Sequence, residues 1–116
     1  MELTLPERLW LWRRRQGLSQ RKAALVVGCG VSTYQRLERG ETRPDKWLGD
    51  IPLPDAPSPG EIVRLLRRRT GWSLYTTCSK LDIREGILYA IEKDEEVLSQ
   101  EDLRAIAYTM GFTIDQ

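Results

Sequence analysis

The sequence contains no histidine. The side chain most often used as a general base near neutral pH is therefore missing, and so is the commonest metal ligand. Cysteine is scarce: Cys29 and Cys78 stand far apart and in no metal-ligand spacing. No zinc site, disulfide framework or other metal site is expected, and both thiols read as structural residues of a reduced compartment. No apolar run approaches the ~20 residues of a membrane span, so no membrane partner is expected. Glu2 and Glu7 stand where a leader peptide would carry basic residues, and no leader is expected. A glycine-rich loop to cradle phosphates is also lacking. With neither nucleophile–base pair nor metal cluster, no enzyme and no cofactor are expected. The reading places the protein in the cytoplasm.

Net charge is nearly absent too, only +1 over 116 residues. Its distribution is more telling than its sum. Residues 1–50 hold ten Lys/Arg against six Asp/Glu, a net +4, and residues 51–116 hold eight against eleven, a net −3. A basic half and an acidic half suggest different partners for each. The length suffices for one compact domain or two very small ones.

What is present is organised around Ser19–Gly40, SQRKAALVVGCGVSTYQRLERG. Ser19 is placed to cap a short helix, although Lys22 occupies the return position where a full capping box has Glu. Ala23, Ala24 and Val27 share one face. Gly28-Cys29-Gly30 breaks the helix, and glycine there permits a left-handed turn. A second helix follows with Tyr34 and Leu37 inward and Ser32, Thr33, Gln35, Arg36 and Arg39 outward. Gly40 ends it, with Pro44 shortly after. Helix, short turn and helix with a polar outer side is the pattern of a DNA-reading helix-turn-helix.

The residues Arg13, Gly17, Leu18, Ser19, Gln20, Ala24, Gly28, Glu38, Arg39, Gly40 and Pro44 make Leu9–Pro44 resemble the phage repressor and Cro-like (XRE) helix-turn-helix family. The resemblance implies that Arg13 pairs with Glu38, tying the first helix to the third. It also implies that Gln20 holds a phosphate while Val31, Ser32 and Arg36 face bases, with Gln35 close by. Arg36 is the strongest base-reading candidate, because a guanidinium held bidentate on guanine is the commonest specific contact. Val31 offers only apolar contact. Thr33, Arg39 and Arg43 suit the backbone, which positions without specifying.

The rest of the chain extends this pattern. Thr4 and Glu7 stand in capping-box spacing ahead of a first helix whose expected inner face is Leu5, Leu9 and Trp12. Trp10 falls off that face and is expected to pack beyond the first unit. Arg14 and Arg15 suit a solvated, basic helix end. Pro44–Leu48 reads as one helical turn, and GDIPLPDAPSPG, with four prolines, as a semi-rigid connector. Ser58, Pro59 and Glu61 open a new helix.

An internal repeat then appears at a constant offset of 54. Arg13-Arg14-Arg15 maps to Arg67-Arg68-Arg69, Gly17 to Gly71, Ser19 to Ser73, Tyr34 to Leu88, Leu37 to Ile91 and Glu38 to Glu92. Arg67–Glu92 is thus expected to repeat the structural pair. The copy departs at the outward positions: Gln20 becomes Leu74, Gly28 Asp82, Val31 Glu85, Thr33 Ile87, Gln35 Tyr89 and Arg36 Ala90. Ser99 caps a last helix carrying Leu103, Ile106, Ala107 and Met110 on one stripe, closed by Gly111.

The expected fold is all-α, two tandem lambda-repressor-like units packed together. They comprise a DNA-binding unit over 1–49, a Pro-rich linker over 50–59 and a second, degenerate unit over 60–116. The expected function is sequence-specific binding of a double-stranded DNA operator as a transcriptional regulator, read as a repressor, in a bacterial cytosol or phage-infected cell. A homodimer is expected, with Trp10, Ile87, Tyr89 and Ala90 as the interaction face. The competing reading is a protein-interaction module with secondary DNA binding, such as an antitoxin, a phage inhibitor or a polymerase-docking factor, whose protein partner meets the acidic second repeat.

Overall fold

The computed structural model describes residues 1–43, 48 and 51–114. Among them the chain is all-helical, with seven helices and no strand. These are α1 (Leu5–Arg15), α2 (Gln20–Val27), α3 (Val31–Arg39), α4 (Pro59–Thr70), α5 (Leu74–Leu81), α6 (Glu85–Glu92) and α7 (Gln100–Thr109). The chain divides into two compact units, Glu2–Ala56 and Pro57–Gln116 with Met1. The helical turn expected over Pro44–Leu48 lies, apart from Leu48, outside the described residues.

Local chemistry sets the helix ends of the first unit. The Glu7 N–H donates to the Thr4 hydroxyl at 3.3 Å, and the Thr4 N–H donates to the Glu7 carboxylate at 2.9 Å. Two of the donors that a helix start leaves unpaired are satisfied in this way. Ser19 accepts the Lys22 N–H at 3.1 Å, and α2 stops where Gly28 turns left-handed at φ 90°. Val31 then starts α3 without a side-chain cap, and Gly40 ends it at φ 74°.

The core of this unit is Leu9, Trp12, Ala23, Ala24, Val27, Tyr34, Leu37 and Leu48. Burying a leucine-sized side chain contributes roughly 1.5–3 kcal/mol, so these residues dominate the unit's stability. Leu5 does not join them. As the first helical residue it stays 37 % exposed, at the lip of an open groove shared with Pro6, Leu37 and Arg43. Residues 51–56, expected within a connector, are fastened to this unit instead. Ile51 and Leu53 pack on its core, and the Arg8 guanidinium donates to the carbonyls of Leu53 and Pro54, both at 3.1 Å. Arg15 donates to the Ala56 carbonyl at 3.0 Å. Proline cannot donate to a ladder or continue a helix, but its carbonyl accepts freely, which suits such a strap.

In the second unit the elements recur 54 residues on: α4 starts at Pro59 as α1 starts at Leu5, and α5 spans Leu74–Leu81 as α2 spans Gln20–Val27. Ser58 and Glu61 form the same reciprocal cap as Thr4 and Glu7. Asp82, standing where the first unit has Gly28, keeps the left-handed turn at φ 55°. Aspartate is among the few non-glycine residues that enter that region at modest cost. Val63, Cys78, Leu88, Ile91 and Leu103 form one core cluster, and Leu66, Ala107 and Met110 a second. Phe112 and Ile114, beyond Gly111, pack against the latter.

Candidate nucleic-acid interface

Helix α3 is divided sharply by exposure. Tyr34, Leu37 and Glu38 are buried, while Ser32, Thr33, Arg36 and Arg39 are exposed. Val31 and Gln35 lie half-buried between the two sets. Arg43 is exposed beyond the helix. The outer side thus offers two guanidiniums, two hydroxyls and an amide on a helix whose other side is fixed in a core. One of those cations has a local partner: Arg39 meets Glu41 at 2.7 Å, in an exposed pair of small energetic weight.

Beneath this surface lies the ion pair. Arg13 Nε donates to Glu38 Oε2 at 2.6 Å and Arg13 Nη2 to Oε1 at 3.2 Å, the two-pronged geometry that guanidinium and carboxylate favour. The Arg13 side chain is 15 % exposed and that of Glu38 only 4 %. Arg13 also donates to the Leu18 carbonyl at 3.2 Å, pinning the turn between α1 and α2. Tyr34, one helical turn before Glu38, donates its hydroxyl to Oε2 at 2.5 Å. Burial first, and then the adjoining carboxylate, push the Tyr34 phenol well above its ordinary value of 10.0. It therefore remains a donor throughout the physiological range.

Two amides extend the pair outward. Gln20 Nε2 donates to Glu38 Oε1 at 3.3 Å, and Gln35 Nε2 donates to Gln20 Oε1 at 3.1 Å. The start of α2, the end of α3 and the outer side of α3 are thereby joined in one polar chain.

The second unit has a matching pair without the extension. Arg67 reaches Glu92 at 2.8 and 2.9 Å, with Glu92 again buried. The positions 54 residues after Tyr34, Gln20 and Gln35 hold Leu88, Leu74 and Tyr89, and on α6 Ile87 and Tyr89 are 46 % and 53 % exposed. Ala90 is half-buried. The Lys93 ammonium sits 4.3 Å from the Tyr89 ring centroid, and hydrogen bonding to Tyr89 raises its pKa. In the first unit, half-buried Trp10 carries the Arg14 guanidinium 5.3 Å from its ring centroid. Arg14 and Arg15 are exposed, as expected of solvated charges, and each also has a local partner. Burial pushes both thiols up, Cys29 and Cys78 alike, and leaves them poor nucleophiles.

Three participants escaped the sequence reading. The Tyr34 hydroxyl was marked by its i,i+4 spacing to Glu38. The Gln20–Gln35 contact had no local signal, since it spans two helices. Asp94 reads as one of a run of solvated acids, yet its carboxylate accepts the Gly60 N–H at 2.9 Å and the Ser58 hydroxyl at 2.5 Å.

Residues 11–46 match the family model described as helix-turn-helix, of the XRE type, which supports a DNA-binding transcription regulator. No curated protein and no solved structure gives a match. No helix among the described residues is long and apolar enough to cross a membrane.

Proposed function

We propose that the protein is a cytoplasmic, sequence-specific transcriptional repressor that reads the major groove with α3 and binds its operator as a homodimer. The observation that carries this reading is the exposed polar side of α3, Ser32, Thr33, Arg36 and Arg39, on a helix anchored by Tyr34, Leu37 and Glu38. A helix so anchored presents its outer groups in fixed register, as base readout requires. Val31, Ser32 and Arg36 face bases with Gln35 close by, and Thr33, Arg39 and Arg43 set the protein on the backbone. Gln20, at the start of α2, keeps a second amide hydrogen for a phosphate. No reaction is assigned to the protein.

The second unit is read as a degenerate copy of the first, with protein contact in place of base reading. Shared caps, shared element spacing and the Arg67–Glu92 pair support the copy, and apolar Ile87 and Tyr89 in the places of Thr33 and Gln35 support the changed role. That same face favours the competing reading, an antitoxin-like or polymerase-docking module with secondary DNA binding.

Selection from a random DNA pool separates the two. A palindromic consensus, bound with an affinity that falls steeply with salt, is the expected result. Salt-sensitive binding without a consensus would favour the interaction module.

A further inference from the structure

We infer that Leu25 and Val26 of α2 form the second face of the homodimer joint, packing on Ile87 and Tyr89 of α6 in a second copy of the chain. Two copies related by a two-fold axis make this contact twice, each first unit against the other copy's second unit. The inference rests on the homodimer proposed above and names the surface that α6 meets.

The exposed apolar groups of the two units are distributed in exchange. On α2, Leu25 and Val26 are 76 % and 59 % exposed, while Ala23, Ala24 and Val27 hold the helix to its core. The matching positions of α5 carry Ser79 and Lys80. On α6, exposed Ile87 and Tyr89 stand where α3 carries Thr33 and Gln35. Each unit is therefore apolar on the helix where the other is polar. Two such faces lose their contact with water together when they meet, and that loss is the driving force of the joint. Neither Leu25 nor Val26 is on α3, the helix assigned to DNA.

Charge selects among the possible pairings. Arg21 and Lys22 stand one helical turn before Leu25 and Val26, both are exposed, and α2 has no acid to balance them. Pairing α2 with α2 would bring four cations together. An acidic partner suits that surrounding, and exposed Glu95 and Glu96 follow α6 within a region, residues 51–116, of net −3. Charges at the rim of a contact choose the partner more than they hold it, so the four apolar side chains carry the affinity. Symmetry then supplies closure. Unlike faces join chains without end unless a rotation closes them, and a two-fold axis closes them with both contacts made. It also doubles the area covered, toward the roughly 1,200–2,000 Å² that a stable interface buries.

The test is sedimentation of the full chain and of two double variants, Leu25→Ser with Val26→Ser and Ile87→Asp with Tyr89→Asp. The parent should run as two chains. Each variant alone damages both contacts of its dimer, and its dissociation constant should rise by about a hundredfold or more. All four positions are exposed, so both variants should keep the parental melting temperature; Leu25→Ala with Val26→Ala replaces the serine pair if α2 is disturbed. An equimolar mixture of the two variants is the decisive measurement. In a mixed dimer the two altered faces meet each other, and the remaining contact is intact. The mixture should therefore associate about tenfold or more tightly than either variant does with itself. Parental association in the α2 variant would overturn the proposal, leave the homodimer standing and give that face to another partner or to none. A mixture no tighter than its components would mean that like faces meet like, and assembly beyond two chains would mean that the contact does not close; either result overturns it. A parent that sediments as one chain would remove the homodimer itself, a failure seen before any variant is made.

Discussion

At the scale of single residues, the two units solve one steric problem in opposite ways. In the first, Pro6 stands in the opening turn of α1, and a Cβ added to Gly40 would lie 3.4 Å from its ring. In the second, the roles are exchanged: Gly60 stands in the opening turn of α4, and Asp94 takes the left-handed place of Gly40 at φ 58°. Proline has no N–H for an acid to accept, whereas Gly60 donates to Asp94, whose negative charge also suits a helix N-terminus. Gly60→Ala would place a Cβ 2.2 Å from the Ile91 carbonyl oxygen. It should therefore destabilise the chain by about 1–3 kcal/mol in chemical denaturation, although alanine is ordinarily the better helix former. Asp94→Ala should cost about 1–2 kcal/mol through the lost cap, and Asp94→Asn less. Tyr34 gives a pH signature. Its phenol is raised in the folded state, so above pH 10 the unfolded chain releases a proton that the folded chain retains. Its contribution is complete below pH 10 and declines above it by about 1.4 kcal/mol per pH unit. Tyr34→Phe should be less stable at pH 7 by about 1 kcal/mol and should show a shallower decline above pH 10 than the parent in paired denaturation series.

At the scale of elements, Arg13–Glu38 ties α1 to α3 and Arg67–Glu92 ties α4 to α6. Removing one partner of a buried pair leaves an uncompensated charge, at a cost of about 3–5 kcal/mol. Arg13→Ala should lower both melting temperature and DNA affinity; loss of affinity at parental stability would make Arg13 a phosphate contact. Arg67→Ala should lower stability and leave the intrinsic affinity of the folded first unit unchanged. Along α3, Arg36→Ala should weaken operator binding by about 1–3 kcal/mol and relax preference at one base pair; unchanged binding would mean that α3 is not the reader. The elements themselves were legible because their signals are local. Thr4, Ser19, Ser58, Ser73 and Ser99 all serve as helix caps, and Gly28 and Gly40 mark turns that need positive φ. The polar chain from Glu38 through Gln20 to Gln35 was not legible, because its members become neighbours only once α2 and α3 pack. Leu5 misled for a related reason: periodicity gives the direction of a side chain around a helix, but not whether anything stands opposite its first turn. The strap over residues 51–56 was hidden by its prolines, which signal a non-helical backbone and say nothing of where its carbonyls are bound.

At the scale of the whole molecule, the division of charge suits the division of work proposed above. The first fifty residues carry +4 and the remainder −3, and the exposed groups of α6 change accordingly. Glu85 stands in the place of Val31, and Asp94-Glu95-Glu96 follows the helix. Phosphates would repel such a surface, so the second unit is not expected to lie on DNA. What it exposes instead is apolar: Tyr75, Ile87 and Tyr89 are 74 %, 46 % and 53 % exposed. Scattered apolar exposure is ordinary, but large side chains that replace the polar groups of a reading helix suit a contact surface. If that surface joins two copies, two basic first units come to one operator, and half-sites about one helical turn apart would match their two-fold symmetry. The double variant Ile87→Asp with Tyr89→Asp tests this, because each carboxylate would have to be buried unpaired in the joint. Sedimentation of the parent should give the mass of two chains, and that of the variant the mass of one, with weaker binding to a two-half-site operator and unchanged binding to a single half-site. Parental mass and operator affinity in the variant would remove α6 from the dimer interface. Glu85→Arg reverses a charge on the same helix and should leave operator binding as it was. Loss of binding in that variant would mean that the second unit takes part in DNA contact, and the division of work would be wrong.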